Sequence, residues 1–91
     1  MNWTTEADGH AAAAVRASEA SLEAAVLHHH EAFGEAPEPD QLWDDPTFQG
    51  HASAAREQIS SGADFDEPLM HHLGRLVERV SDTYHQSGRE R

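Results

Sequence analysis

Residues 4–33 read TTEADGHAAAAVRASEASLEAAVLHHHEAF, and this stretch decides the fold class. It is dominated by alanine, glutamate, leucine and arginine, all of which have a high intrinsic helix propensity. Gly34 follows and can take the left-handed conformation that often ends a helix, while Pro37 and Pro39 prevent the helix from continuing. The stretch therefore predicts one long helix, helix 1, over about residues 5–33.

The inward face of helix 1 can be read from its helical spacing of about 100° per residue. Most positions near this face are alanine, which lets helices approach closely but contributes little apolar burial. The predicted inward stripe consists of Val15, Ser18, Leu22, Val26, His29 and Phe33.

Two shorter helices are expected further along the chain. Asp45–Pro46 is typical of an N-cap followed by proline at the first helical position, and predicts helix 2 over about residues 46–60. Asp66 is expected to cap helix 3 over about residues 66–86, with a frayed tail at 87–91. Helix 2 should bury Phe48, Ala52, Ala55 and Ile59, and helix 3 carries the strongest apolar seam, Leu69, Leu73, Leu76, Val77, Val80 and Tyr84.

The linker between helices 1 and 2, residues 34–45, is acidic and rich in proline. We expect an extended linker in which Leu42 and Trp43 pack against the end of the helices, because an uncovered tryptophan there would form an exposed apolar patch. No alternating strand pattern occurs, so no sheet is expected. The prediction is a single all-α domain over residues 1–91, either a small three-helix bundle or a helical hairpin plus a helix.

The apolar content is low for a folded chain of this length. Leu, Ile, Val and Phe account for 14 of the 91 residues, and the net charge is −11. Such a combination is typical of disordered chains. We therefore expect self-association to complete the core, in a homo-oligomer.

Charge is the strongest feature of the composition. The sequence has seventeen acidic residues, six arginines and no lysine, and residues 31–67 alone contain ten acids and one arginine. This excess disfavours direct nucleic-acid binding, which depends on cations neutralising phosphates, and favours a partner with a basic surface. The composition resembles that of salt-adapted proteins. No run of 18 apolar residues and no secretory signal pattern occurs, so we expect a cytoplasmic protein that does not enter membranes.

Function is expected to be binding without catalysis. The chain has no cysteine and no glycine-rich phosphate loop, and a Ser-His-Asp set drawn from so many candidates carries no specificity. We predict an acidic interaction module, acting as a regulator or inhibitor of a partner with a basic surface. The predicted binding residues, called the acidic patch below, are Glu31, Glu35, Glu38, Asp40, Trp43, Asp44 and Asp45.

The eight histidines leave an alternative open. His28, His29 and His30 are consecutive and diverge around a helix, so they cannot ligate one ion together; in the last turn they suit the negative end of the helix dipole. A histidine cluster could also make assembly sensitive to pH. The alternative function is a transition-metal binder in which His29, His51 and His72, one from each helix, converge on a Zn²⁺, Ni²⁺ or Cu²⁺ ion. Otherwise no cofactor is expected.

Overall fold

The computed structural model describes residues 5–59 and 64–89, with side chains up to residue 86. Within these ranges the chain is helical and has no strand, so the predicted all-α class is confirmed. The α-helices are α1 (Thr5–Ala17), α2 (Glu19–Phe33), α3 (Pro46–Glu57) and α4 (Asp66–Arg89), with a short 3₁₀ helix at Pro39–Leu42. The described residues form an elongated body of 49 × 26 × 17 Å.

Helix 1 is divided at Ser18, which the sequence analysis did not predict. The Ser18 backbone has φ −100° and ψ 10°, and its N–H is shared between the carbonyls of Ala14 and Val15, each at 3.2 Å. The division falls where the packing partners change, since α1 packs against both α3 and α4 while α2 packs mainly against α4. The expectation of three helices therefore becomes four α-helices within the described residues.

The helix ends follow the local signals in two places. Gly34 takes the left-handed conformation, φ 76°, and its N–H donates to the carbonyl of His30 at 2.8 Å. The Asp45 carboxylate accepts from the N–H of Phe48 at 2.9 Å, with Pro46 at the first helical position. Both predicted caps are confirmed.

Other helix ends differ from the prediction by a few residues. Helix α3 ends at Glu57, and residue 60 lies outside the described residues. The carbonyl of Phe65 accepts from the N–H of Leu69, so Phe65 occupies the cap position of α4 that we assigned to Asp66. Helix α4 continues to Arg89 where a frayed tail was expected; residues 90–91 lie outside the described part.

Contacts between helices show their relative directions. Asp8 is hydrogen-bonded to His72, Glu19 to Arg79, and His30 to Ser81. Residue numbers in these pairs increase together, so α1–α2 and α4 run in the same direction. Helices α1 and α4 are therefore roughly parallel. Helix α3 starts beside Ser21 and ends near Asp66, so it runs back along α1 toward the start of α4.

The core lies where α1, α3 and α4 meet, and extends along α2. The predicted seam of α4 is buried, apart from the half-buried Tyr84, and Ile59 packs half-buried against the core. The linker is not simply extended, because Pro37 and Leu42 are buried and the 3₁₀ helix packs against α4. Phe65 is also fully buried, although it lies in a stretch that the sequence analysis treated only as a break. Within the described ranges, no helix combines the length and the apolar content needed to cross a membrane.

Candidate functional site

The residues of the acidic patch divide into exposed carboxylates and groups that hold the local fold. Asp45 is half-buried, and besides capping α3 it accepts a hydrogen bond from the Ser21 hydroxyl at 3.1 Å. Glu38 belongs to a capping box, in which its N–H donates to the Gln41 side chain at 2.6 Å. Trp43 is half-buried with its ring edge-on to Phe48, at a centroid distance of 6.1 Å. These three residues therefore order the linker that carries Glu35, Asp40 and Asp44, whereas Glu31 lies in the last turn of α2.

The remaining carboxylates of the acidic patch are exposed and have no ion pair within the described residues. Glu31, Glu35, Asp40 and Asp44 are all exposed. Within residues 5–59 and 64–89, none of them forms an ion pair with an arginine or a histidine. Their charge is therefore not neutralised by the chain itself.

Phe33 is exposed, so its predicted inward position is wrong. Its side chain is 70% exposed, at the C-terminal end of α2 between Glu31 and Glu35, and the ring rests against His29 at a centroid distance of 4.6 Å. The other large exposed apolar residue in the described part is Leu27, at 38%. Aromatic side chains are enriched at protein interfaces, so the exposed ring of Phe33 is a candidate contact residue.

The predicted inward position of His29 is also wrong, since its neighbour His30 is the buried one. His30 is 2% exposed, its Nε2 is hydrogen-bonded to the Ser81 hydroxyl at 2.8 Å, and its ring stacks on Tyr84 at 4.6 Å. His29 instead donates from Nδ1 to the main-chain carbonyl of Glu35 at 2.8 Å. The buried residues of this segment are Ser18, Leu22, Val26 and His30.

The four-residue spacing of these positions explains the error. A row of residues at i, i+4, i+8 winds slowly around a helix, and it forms the contact ridge when the partner helix crosses at an angle. An ideal wheel assumes that the buried face runs straight along the axis, which places His29 inward. The regular spacing was visible in the sequence, but the crossing of α4 was not.

The three histidines of the metal hypothesis are not brought together. His29 is bonded to Glu35, His72 donates from Nε2 to the Asp8 carboxylate at 2.8 Å, and His51 is exposed on α3. No group of three or more His, Asp or Glu side chains in the described residues is arranged to hold a metal ion. The geometry therefore gives the metal hypothesis no support.

A basic groove between α1 and α4 was missed by the sequence analysis. It has a volume of about 480 Å³ and is lined by Ala12, Val15, Arg16, Glu19, His72, Arg75, Leu76 and Arg79. The available signal was the spacing of His72, Arg75 and Arg79, which places them on one face of a helix. Their position opposite Arg16 depends on how α1 and α4 pack.

Compared with known proteins, the chain matches no family model, no curated protein and no solved structure. Its fold and surface therefore define only a class, a small acidic all-α protein, and its function has to be argued from the surface itself.

Proposed function

We propose that this protein is a non-enzymatic interaction module that binds a basic surface of a partner protein through the acidic patch. The observation that carries the proposal is Phe33, which is 70% exposed and is flanked in the sequence by Glu31 and Glu35, two exposed residues without an ion pair in the described part. Aromatic side chains dominate the energetics of many interfaces, and a polar rim around them sets specificity. Phe33 would be the anchor, and the acidic patch would form its rim.

The net negative charge of the protein supports a partner with a basic surface. The net charge is −11, and a surface of one sign speeds encounter with a surface of the opposite sign and disfavours partners of like charge. A partner that normally binds phosphate would meet carboxylates in place of phosphates. Occupation of its basic surface would make this protein a regulator or inhibitor.

Affinity purification from the native host tests the proposal. Two variants separate the contribution of the aromatic anchor from that of the acidic charge. Phe33→Ser removes the aromatic anchor, and a triple variant, Glu31→Gln with Glu35→Gln and Asp40→Asn, removes patch charge. Glu57→Gln is the matched control, because Glu57 is an exposed acid at the end of α3, outside the acidic patch.

The expected result is a partner with a basic surface that wild type and Glu57→Gln retain and that both patch variants lose. With the purified partner, Phe33→Ser should weaken binding by about 2 kcal/mol or more in calorimetry, as expected of an aromatic hot spot. The triple variant should reduce the dependence of the association rate on salt. Equal retention of the partner by all four proteins would contradict the proposal.

Self-association is proposed through Leu27 and not through the alanines on the inward face of helix 1. The alanines Ala7, Ala11 and Ala14 of α1 are buried within the single chain, so they offer no face to a second copy. Apart from Phe33 in the proposed partner-binding surface, the large apolar side chain that is exposed in the described part is Leu27. Sedimentation equilibrium should show a dimer or larger assembly at micromolar concentration that Leu27→Ser dissociates and that Phe33→Ser leaves intact. A monomeric wild type would contradict this.

A further inference from the structure

The groove between α1 and α4 concentrates positive charge in a strongly acidic protein. Arg16 contributes from α1, and Arg75 and Arg79 contribute from α4, so the groove holds three of the six arginines of the chain. Ala12, which is half-buried, and the small exposed parts of the core residues Val15 and Leu76 form a narrow apolar floor between them. Basic rim and apolar surface therefore occur together in one concave site.

The arginines of the groove are unequally neutralised. Arg79 pairs with Glu19 and with Glu23, the latter at 3.2 Å. Arg16 and Arg75 are exposed and form no ion pair within residues 5–59 and 64–89, although the chain has seventeen acidic residues. Two guanidinium groups on opposite helices thus face the same groove without an acidic partner.

His72 occupies a fixed position in the groove. Its side chain is 18% exposed and donates from Nε2 to the Asp8 carboxylate at 2.8 Å, which orients the ring. Arg75 follows His72 by three residues and Arg79 follows Arg75 by four, so all three lie along the same face of α4. The charged lining is therefore built on helices and not on mobile loops.

We propose that this groove binds a small organic anion, a carboxylate or phosphate group attached to a short apolar body. Guanidinium groups bind both kinds of oxyanion through paired hydrogen bonds, and a volume of about 480 Å³ lies in the range of small-molecule sites. Ala12 and the exposed edges of Val15 and Leu76 would contact the body of the ligand. The site is independent of the acidic patch and of its proposed partner.

The net negative charge of the protein does not prevent this binding. At physiological ionic strength the Debye length is about 8 Å, so exposed charges farther away are largely screened. An anion in the groove interacts mainly with Arg16, Arg75 and Arg79 and with one acidic residue of the lining, Glu19, whose carboxylate is paired with Arg79. Local charge at the groove therefore decides the affinity.

Calorimetric titration at constant ionic strength tests the proposal with four probes: phenyl phosphate, benzoate, inorganic phosphate and the uncharged benzyl alcohol. Sodium chloride keeps the ionic strength equal in every titration. We expect phenyl phosphate or benzoate to bind more tightly than inorganic phosphate, because only they can use the apolar surface, and benzyl alcohol not to bind. The tighter of the first two identifies the oxyanion that the groove prefers.

Variants of the groove arginines test whether the probe binds in the groove. Arg75→Gln and Arg16→Gln should each lower the affinity for the preferred probe about tenfold, the loss expected for one charge-assisted hydrogen-bonding partner. Arg75→Lys should recover part of this affinity. Arg56→Gln is the matched control, because Arg56 is an exposed arginine on α3 that pairs with Asp66 outside the groove. Circular dichroism melting curves confirm that each variant is folded.

Three results would overturn the proposal. The first is binding of the organic anions no tighter than that of inorganic phosphate. The second is an equal loss of affinity in Arg56→Gln and Arg75→Gln, which would indicate nonspecific attraction. The third is the absence of measurable binding by phenyl phosphate, benzoate and inorganic phosphate alike.

Discussion

Gly34 and Gly50 lie in different backbone conformations, so replacing each by alanine should have opposite effects. Gly34 has φ 76°, whereas Gly50 is exposed within α3, and a Cβ at either position would have no non-local heavy atom within 4 Å. Gly34→Ala should lower the free energy of unfolding by about 1–2 kcal/mol because of the left-handed conformation. Gly50→Ala should raise it by about 0.5–1 kcal/mol, since glycine loses more conformational freedom in a helix. Urea denaturation measures both, and shifts of the same sign would contradict the backbone argument.

The three consecutive histidines should differ sharply in their contribution to stability. His30→Ala removes a buried ring, its stack on Tyr84 and its hydrogen bond to Ser81, and should cost about 2–4 kcal/mol. His28→Ala should cost about 0.5 kcal/mol or less, since that side chain is exposed. His29→Ala should lie between them because it loses one bond at the surface. Urea denaturation followed by circular dichroism gives all three values. If His29→Ala loses as much free energy of unfolding as His30→Ala or more, the result would contradict the assignment of His30, and not His29, as the buried histidine.

At the scale of elements, one serine lies at the division between α1 and α2, and another links α2 to the start of α3. The Ser18 hydroxyl is buried and has no hydrogen-bond partner within the described residues, so Ser18→Ala should stabilise the protein by about 1 kcal/mol. The Ser21 hydroxyl donates to the Asp45 carboxylate, so Ser21→Ala should destabilise it by about 0.5–1.5 kcal/mol. Thermal and urea unfolding of the two variants should therefore shift in opposite directions. Destabilisation by Ser18→Ala would show that its hydroxyl is satisfied in solution.

At the scale of the whole molecule, stability should rise with salt. A net charge of −11 on a body of this size is self-repelling, and the Debye length falls from about 10 Å at 0.1 M salt to about 3 Å at 1 M. The Arg56–Asp66 and Arg79–Glu19 pairs are solvent-exposed, and screening such pairs loses about 0–1 kcal/mol each. Relief of repulsion should therefore dominate, and the thermal midpoint should increase between these sodium chloride concentrations.

A charge-reduced variant provides the control for the salt response. Glu57→Gln, Glu78→Gln and Asp82→Asn together remove three exposed negative charges and leave the core unchanged. The slope of its midpoint against salt should be shallower than that of wild type. Equal slopes would indicate that salt acts through apolar burial and not through repulsion.

Local features were predictable from the sequence because they depend on neighbouring residues. The all-α class follows from helix propensity, and the ends at Gly34 and Asp45 follow from backbone freedom and side-chain capping within three or four residues. The apolar seam of α4 was predictable for a related reason. Its leucines and valines are large enough that whichever helix packs there must cover them.

The candidate sites depended on tertiary structure, because they are set by how one helix crosses another. The crossing of α4 over α2 buries His30 in place of His29 and leaves Phe33 in solvent at the end of α2. Packing of α1 against α4 places Arg16 opposite Arg75, residues that lie 59 positions apart in the chain. By itself, the sequence determined which segments become helices and where several of them end. Which sides of those helices meet, and therefore which side chains remain available for binding, was decided by the geometry of packing.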